Sequence, residues 1–255
     1  MLILALDTSS AAGSAAVVRD DVIIVERSGD PSRTHGERLP RELMAVLDAA
    51  GAGLRDVDGF AVSTGPGSFT GLRVGIATVQ GLALAQGKLV TPVSAFEAVA
   101  RSEGRGARGE GPGERSEEPG ARGEGRGAIG VWIDAHRGEV FATLFDARHE
   151  LTELATPTSL KPDATLDAWA AALSSFERVR FAGDGAVKYR DVLERRLGSR
   201  AVIDHDVPPL AGTIGLLAAA DAGRAVRPHA IAPLYVRRPD AVLSRERRAA
   251  VHEPE

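Results

Sequence analysis

Apolar positions alternate with small or polar ones in three short runs at the start of the chain, LILALD, SAAVVRD and VIIVERS, separated by DTSSAAG and a pair of aspartates. Period-two patterning interrupted by turn formers predicts three consecutive antiparallel strands. Over residues 35–50 the period changes. Leu39, Leu43, Val46, Leu47 and Ala50 recur at helical spacing, and Gly51 and Gly53 close the segment, which predicts an amphipathic helix. A strand over 60–63, a glycine-rich turn in GPGSFTG and a helix from near Thr70 follow, then KLVTPVS as a strand and a helix near SAFEAVA. After residue 127 the order recurs. AIGVWIDAH, EVFATLFD and ELATPTSL read as strands, DATLDAWAAALSSF as a helix, VRFAGDG as a strand and AVKYRDVLERRLG as one helix. AVIDHDV and PLAGTIGLLAAADAG add a last strand and helix, and the chain leaves through IAPLYVRR as an extended segment.

Between the halves, residues 101–127 hold nine Gly, six Arg, six Glu, two Pro and no aromatic or large aliphatic side chain. Nothing there offsets the entropy of ordering, so the stretch is expected to be a disordered, flexible insertion. It separates a first lobe, 1–100, from a second, 128–235, with the helix over 209–223 placed to pack back on the first lobe and a basic tail over 236–255. Two α/β halves in the order βββαβαβα resemble the duplicated, two-lobed fold of the actin, Hsp70 and sugar kinase superfamily. A fold of this kind does not by itself assign a function.

Composition narrows the chemistry. With 44% hydrophobic and 26% charged residues the chain is globular, not collagenous, wholly disordered or coiled-coil. Thirty-one basic against 35 acidic residues leave a net charge of −4, which gives no general attraction for a phosphate backbone. The absence of cysteine removes thiol nucleophiles and cysteine metal sites, leaving imidazole and carboxylate. Histidines at 35, 136, 149, 205, 229 and 252 form no HExxH motif and no i,i+4 pair, so each reads as a surface residue and no metal site is expected. Without a basic leader or an apolar run of ~20 residues the chain reads as soluble and cytoplasmic, with no membrane contact.

Four motifs carry the remaining signal. DTSS, residues 7–10, occupies the hairpin where the superfamily contacts phosphate and metal. Asp7, Thr8 and Ser9 are therefore weak candidates for nucleotide or Mg²⁺ contact, against the alternative that they are turn formers. FAGDGA sits at the corresponding turn of the second half, with Asp184 either a helix cap or a ligand. GPGSFTG is a poor dinucleotide loop, because its third glycine falls one residue late and Pro66 removes an amide. In the helix that follows, Gly71, Gly75 and Gly81 each cost ~1 kcal/mol relative to Ala. Gly71, Gly75, Thr78 and Ala85 form one stripe of small residues, suited to close approach of another helix, either that over 35–50 or one from a partner.

Taken together, LALDTSSAAGSAAVV, STGPGSFTGLRVGIATVQGLA, IDAHRGEVFATLF, FAGDGA and IAPLYVRR resemble the TsaB (YeaZ) family along both halves. The resemblance implies a non-catalytic subunit needed to make threonylcarbamoyladenosine at position 37 of tRNAs that read ANN codons. It would pair with the catalytic paralogue TsaD, recruit the ATPase TsaE and meet tRNA indirectly, through the complex. ATP or ADP would bind, if anywhere, at the assembled complex, and no cofactor is held tightly by this chain. Where TsaD carries two metal-binding histidines this chain reads SAFEAV, with Ala95 and Val99 near those positions. The implied pairing through two N-lobe helices places Gly71, Gly75 and Thr78 of one and Leu39, Leu43 and Val46 of the other at the partner interface, with a homodimer expected in isolation. His136 departs from the family's DARRGEV-like segment. The alternative is a stand-alone ATP-dependent small-molecule kinase of the same fold, with Asp7 on the metal. A third reading, direct RNA binding through Arg237, Arg238, Arg245, Arg247 and Arg248, supplies phosphate contacts without sequence recognition.

Overall fold

The computed structural model describes residues 1–102 and 127–237; most of the glycine-rich insertion and of the basic tail lies outside the described residues. β1 (Leu2–Asp7), β2 (Ser14–Arg19) and β3 (Val22–Ser28) form the antiparallel meander. α1 (His35–Ala49) opens on a capping box in which the Thr34 N–H donates to Glu37, and it lays Leu39, Leu43, Val46 and Leu47 on the sheet. β4 (Gly59–Gly65) and β5 (Val90–Ser94) add parallel strands. Between them runs α2 (Phe69–Gln86), capped by Ser68 and ended by Gly87 at φ 64°. α3 (Ala95–Arg101) closes the half, so Arg101 belongs to a helix and Ser102 is its buried cap.

The second half repeats the plan with β6 (Ala128–Asp134), β7 (Val140–Asp146), β8 (Thr152–Leu160), α4 (Pro162–Leu173), β9 (Val179–Ala182) and β10 (Ala201–Ile203). The sheet orders, β3-β2-β1-β4-β5 and β8-β7-β6-β9-β10, are the same arrangement twice. The chain thus carries the same α/β plan twice, one five-stranded sheet in each lobe.

One predicted helix is two. α5 (Asp184–Lys188) and α6 (Arg190–Leu197) meet at Tyr189, whose φ of −108° and ψ of 29° break the helix. α5 lies so close to β6 that a side chain at Gly185 would collide with the Trp132 and Ile133 backbone. The chain turns at Tyr189 and buries Leu193 in the core under the second sheet.

α7 (Ala211–Ala220) is apolar on nearly every side, with residues 211–215 and Ala218 buried, Leu216, Leu217 and Ala219 half-buried and Ala220 exposed at its end. The inner faces of both sheets and α3 pack about it in one continuous core. Although it follows the second sheet in sequence, the first lobe holds its start: Leu210 and Ala211 donate their N–H groups to Ser14 Oγ (3.2 and 3.0 Å), and Gly212 donates to Glu26 (2.6 Å). Residues 228–237 then return along α2, where Gln80 Nε2 donates to the Pro228 carbonyl (2.8 Å). Among the described residues no helix is long and apolar enough to cross a membrane.

Candidate functional site

The β1–β2 hairpin, the start of α1 and the start of α2 meet at one junction. Asp7, Thr8 and Ser9 come together there, but sealed. Asp7 is 3% exposed and Thr8 fully buried. The Ser9 N–H donates to Asp7 Oδ1 (3.0 Å), and the Ser9 carbonyl accepts from the Ser68 N–H (2.7 Å), which fastens the GPGS turn onto the hairpin. Burial pushes the Asp7 carboxyl above its usual range, against the opposing hydrogen bonds from Ser9 and Ser63. Thr8 Oγ1 is buried without a hydrogen-bond partner among the described residues.

The same junction explains two of the three helix glycines and corrects the expected interface. A β carbon at Gly71 would strike the Thr8 carbonyl, and one at Gly75 would strike the Thr8 side chain. The stripe therefore admits the chain's own hairpin, with His35 of α1 also against Gly71. Leu39, Leu43 and Val46 are buried in the first lobe's core, and Thr78 turns its hydroxyl back to the Val74 carbonyl (2.8 Å).

Two residues that sequence reasoning missed hold the hairpin from the other side. His35 donates through Nε2 to the Ser10 carbonyl (3.0 Å), so Nδ1 is left to accept from Arg38 Nη2 (2.8 Å). Desolvation, and then the Arg38 charge, hold the His35 ring below its ordinary pKa, in the neutral form this geometry uses. The buried Arg38 also donates to the Ala11 and Ala12 carbonyls and to both oxygens of Glu42. Its guanidinium lies where a side chain on Gly29 would be. Residues 35, 38 and 42 share a helix face, and that spacing was the available signal.

With its inner side committed to the hairpin, α2 presents its outer side to solvent. Ala77, Gly81, Leu84 and Ala85 are exposed there, Leu84 by 75%. Met44 of α1 is exposed too. Gly81 has no described atom within 4 Å of its would-be β carbon, so nothing in the described chain requires a glycine at that helical position. At the second-lobe turn, Asp184 Oδ1 accepts from the Asp134 and Gly185 N–H groups (2.9 Å each), and Lys188 pairs with Asp134 (2.8 Å). Desolvation raises the Asp184 pKa. The aspartate ties β6 to α5. Among the described residues no three His, Cys, Asp or Glu side chains are grouped to hold a metal ion.

Comparison with known proteins gives the following. Residues 29–112 match the TsaD family, tRNA N6-adenosine threonylcarbamoyltransferase. The tRNA threonylcarbamoyladenosine biosynthesis protein TsaB of Bacillus subtilis is 26% identical over 204 residues, covering 80% of each chain. The protein of the same name from Haemophilus influenzae is 39% identical over 40% of this chain and 43% of its own. Among solved structures, YeaZ from Pseudomonas aeruginosa superposes with a TM-score of 0.69 at 29% identity, covering 92% of this chain and 99% of that one.

Proposed function

The chain belongs to the TsaB (YeaZ) family, and on that premise we propose that it is a non-catalytic subunit of tRNA threonylcarbamoyladenosine synthesis that acts by seating a TsaD-type transferase on the outer face of α2. TsaE joins the assembled pair, and tRNA is met through the complex. The observation that carries this reading is Gly81. A helix-interior glycine costs ~1 kcal/mol relative to Ala, and the other two glycines of α2 are occupied by Thr8 while this one faces open space beside the exposed Leu84. Close approach of another backbone is a reason to keep it. The α1 and α2 residues first expected at the contact serve the lobe's own core and hairpin, so the proposed face comprises Ala77, Gly81, Leu84 and Ala85.

Two further observations support a non-catalytic role. Ala95 and Val99, at the positions set against the transferase's histidines, are packed in the core between the lobes. The kinase alternative lacks an open phosphate cradle at Asp7, Thr8 and Ser9, which the GPGS turn and α2 cover. Co-expression with the same organism's TsaD-type protein, followed by size-exclusion chromatography with light scattering, tests the proposal. A one-to-one complex is expected. Separate elution, together with ATP turnover by the isolated chain, would reverse the assignment in favour of a kinase.

A further inference from the structure

We propose that residues 231–237 form a clasp that holds the two lobes at a fixed setting and opens at its Arg237 end. The first-lobe end is built into the fold. Ile231 is buried in the core under α2, and the Leu234 N–H donates to the Thr64 carbonyl (2.7 Å). The Tyr235 ring lies 5.1 Å from that of Phe69. Arg73 spans the pair, with its guanidinium 3.9 Å above the Phe69 ring and its Nε donating to Tyr235 Oη (2.8 Å).

Two residues later the segment reaches the other lobe. Arg237 Nη2 donates to the Ala135 carbonyl (2.8 Å), and Nη1 pairs with Glu139 (3.0 Å). Both partners belong to the β6–β7 turn, where His136, Arg137 and Gly138 all have positive φ, at 56°, 55° and 80°. Two consecutive non-glycine residues in that region are strained, and Arg237, touching both arms of the turn, adds to the turn's own hydrogen bonds from the His136 N–H to Asp134 Oδ1 (3.1 Å) and from the Glu139 N–H to the His136 carbonyl (3.0 Å). The ends of the clasp differ in kind. The Tyr235 end combines ring stacking, the Arg73 guanidinium over the Phe69 ring with its hydrogen bond to the Tyr235 hydroxyl, and a backbone hydrogen bond. The Arg237 end rests on an ion pair in which both side chains are about a quarter to a third exposed, open to water and screened by salt, beside the hydrogen bond to Ala135 and the Phe141 ring 5.6 Å from the guanidinium. The inference does not depend on the proposed partner, although Phe69 and Arg73 stand at the start of the helix that would receive one.

The absence of cysteine makes the test direct. Spin labels at Ala49→Cys on α1 and Ala168→Cys on α4, both exposed sites, report the lobe separation in the full chain by double electron–electron resonance. A single narrow distance distribution is expected at low salt. Arg237→Gln, Glu139→Gln and the unsubstituted sequence in ~1 M NaCl, where the Debye length is ~3 Å, should each add a second, longer population. Arg148→Gln, which removes an exposed ion pair within the second lobe, should add none. The salt arm needs no substitution, so it stands even where a variant folds poorly. A distribution that stays single under all three perturbations overturns the clasp and leaves the lobes held by the buried core and by the α7 hydrogen bonds to Ser14 and Glu26. Opening by Tyr235→Ala but not by Arg237→Gln overturns the assignment of the releasing end.

Discussion

Replacing Gly75 and Gly81 in turn by alanine separates the two roles assigned to the glycines of α2. Each change should gain ~1 kcal/mol of helix propensity. At Gly81 the new methyl meets no described atom within 4 Å, so the gain is kept, and for a chain of this size the melting temperature should rise by ~2–4 °C. At Gly75 the methyl would lie 2.9 Å from Thr8 Cγ2 and 3.0 Å from Thr8 Cβ, and closer still to the hydroxyl. Overpacking of a rigid core costs ~1–3 kcal/mol, and three overlaps on a fully buried β-branched side chain place this case at the upper end. The net effect is a loss of ~2 kcal/mol, or ~4–8 °C. Differential scanning fluorimetry reads both variants. Adding Thr8→Ala to Gly75→Ala should recover most of the loss, as expected for residues in contact. If Gly75→Ala melts at or above the parent, or if the loss is not recovered by Thr8→Ala, the hairpin does not fill the glycine stripe.

Three further outcomes are expected. His35 has a folded-state pKa below its ordinary value, so the unfolded chain takes the proton first; stability is complete above ~6.5 and declines as pH falls below it. The drop in melting temperature between pH 8 and 5.5 should shrink in His35→Gln, and an equal drop in both proteins would refute the role given to the ring. Asp7 has a raised pKa, so its charged form costs stability as pH rises above the ordinary carboxylate range. Asp7→Asn keeps an acceptor for the Ser9 N–H and should melt no lower than the parent at pH 8, with any gain vanishing towards pH 4; a clear loss at pH 8 would contradict the sealed site. Ser14→Ala removes the acceptor shared by the first amides of α7 and should cost ~1 kcal/mol, typical of a lost cap, read as a fall of ~2–4 °C in melting temperature.

Much of the fold was legible because hydrophobic period reports which face of an element is covered. The alternation in LILALD, SAAVVRD and VIIVERS gave the meander, and the Leu39, Leu43, Val46, Leu47 spacing gave α1 and its buried side. Period does not report what does the covering. The small stripe of α2 was visible as a stripe, but Thr8 is a hairpin residue more than sixty positions away, and a helix was the expected neighbour. The break at Tyr189 follows from the approach of Gly185 to β6, a contact across about fifty residues. His35 and Arg38 were individually unremarkable polar residues, and only the carbonyls of residues 10–12 give them a task. Tyr235 meets Arg73 over 162 residues of sequence, a pairing that spacing cannot propose. The exposed Gly81 shows the converse: its cost was legible, whereas its freedom from neighbours needed the fold.

The central claim is that the outer face of α2 receives a TsaD-type partner, and Gly81→Glu tests it most directly. Glu is a better helix former than Gly, and the site is open, so the isolated variant should melt at or above the parent temperature while a charge and five heavy atoms are added where a second backbone must approach. Affinity for the transferase, measured by isothermal titration calorimetry with the variant and the parent side by side, should fall at least a hundredfold, ~2.7 kcal/mol. A variant that is fully folded and binds the transferase as tightly as the parent would contradict the account.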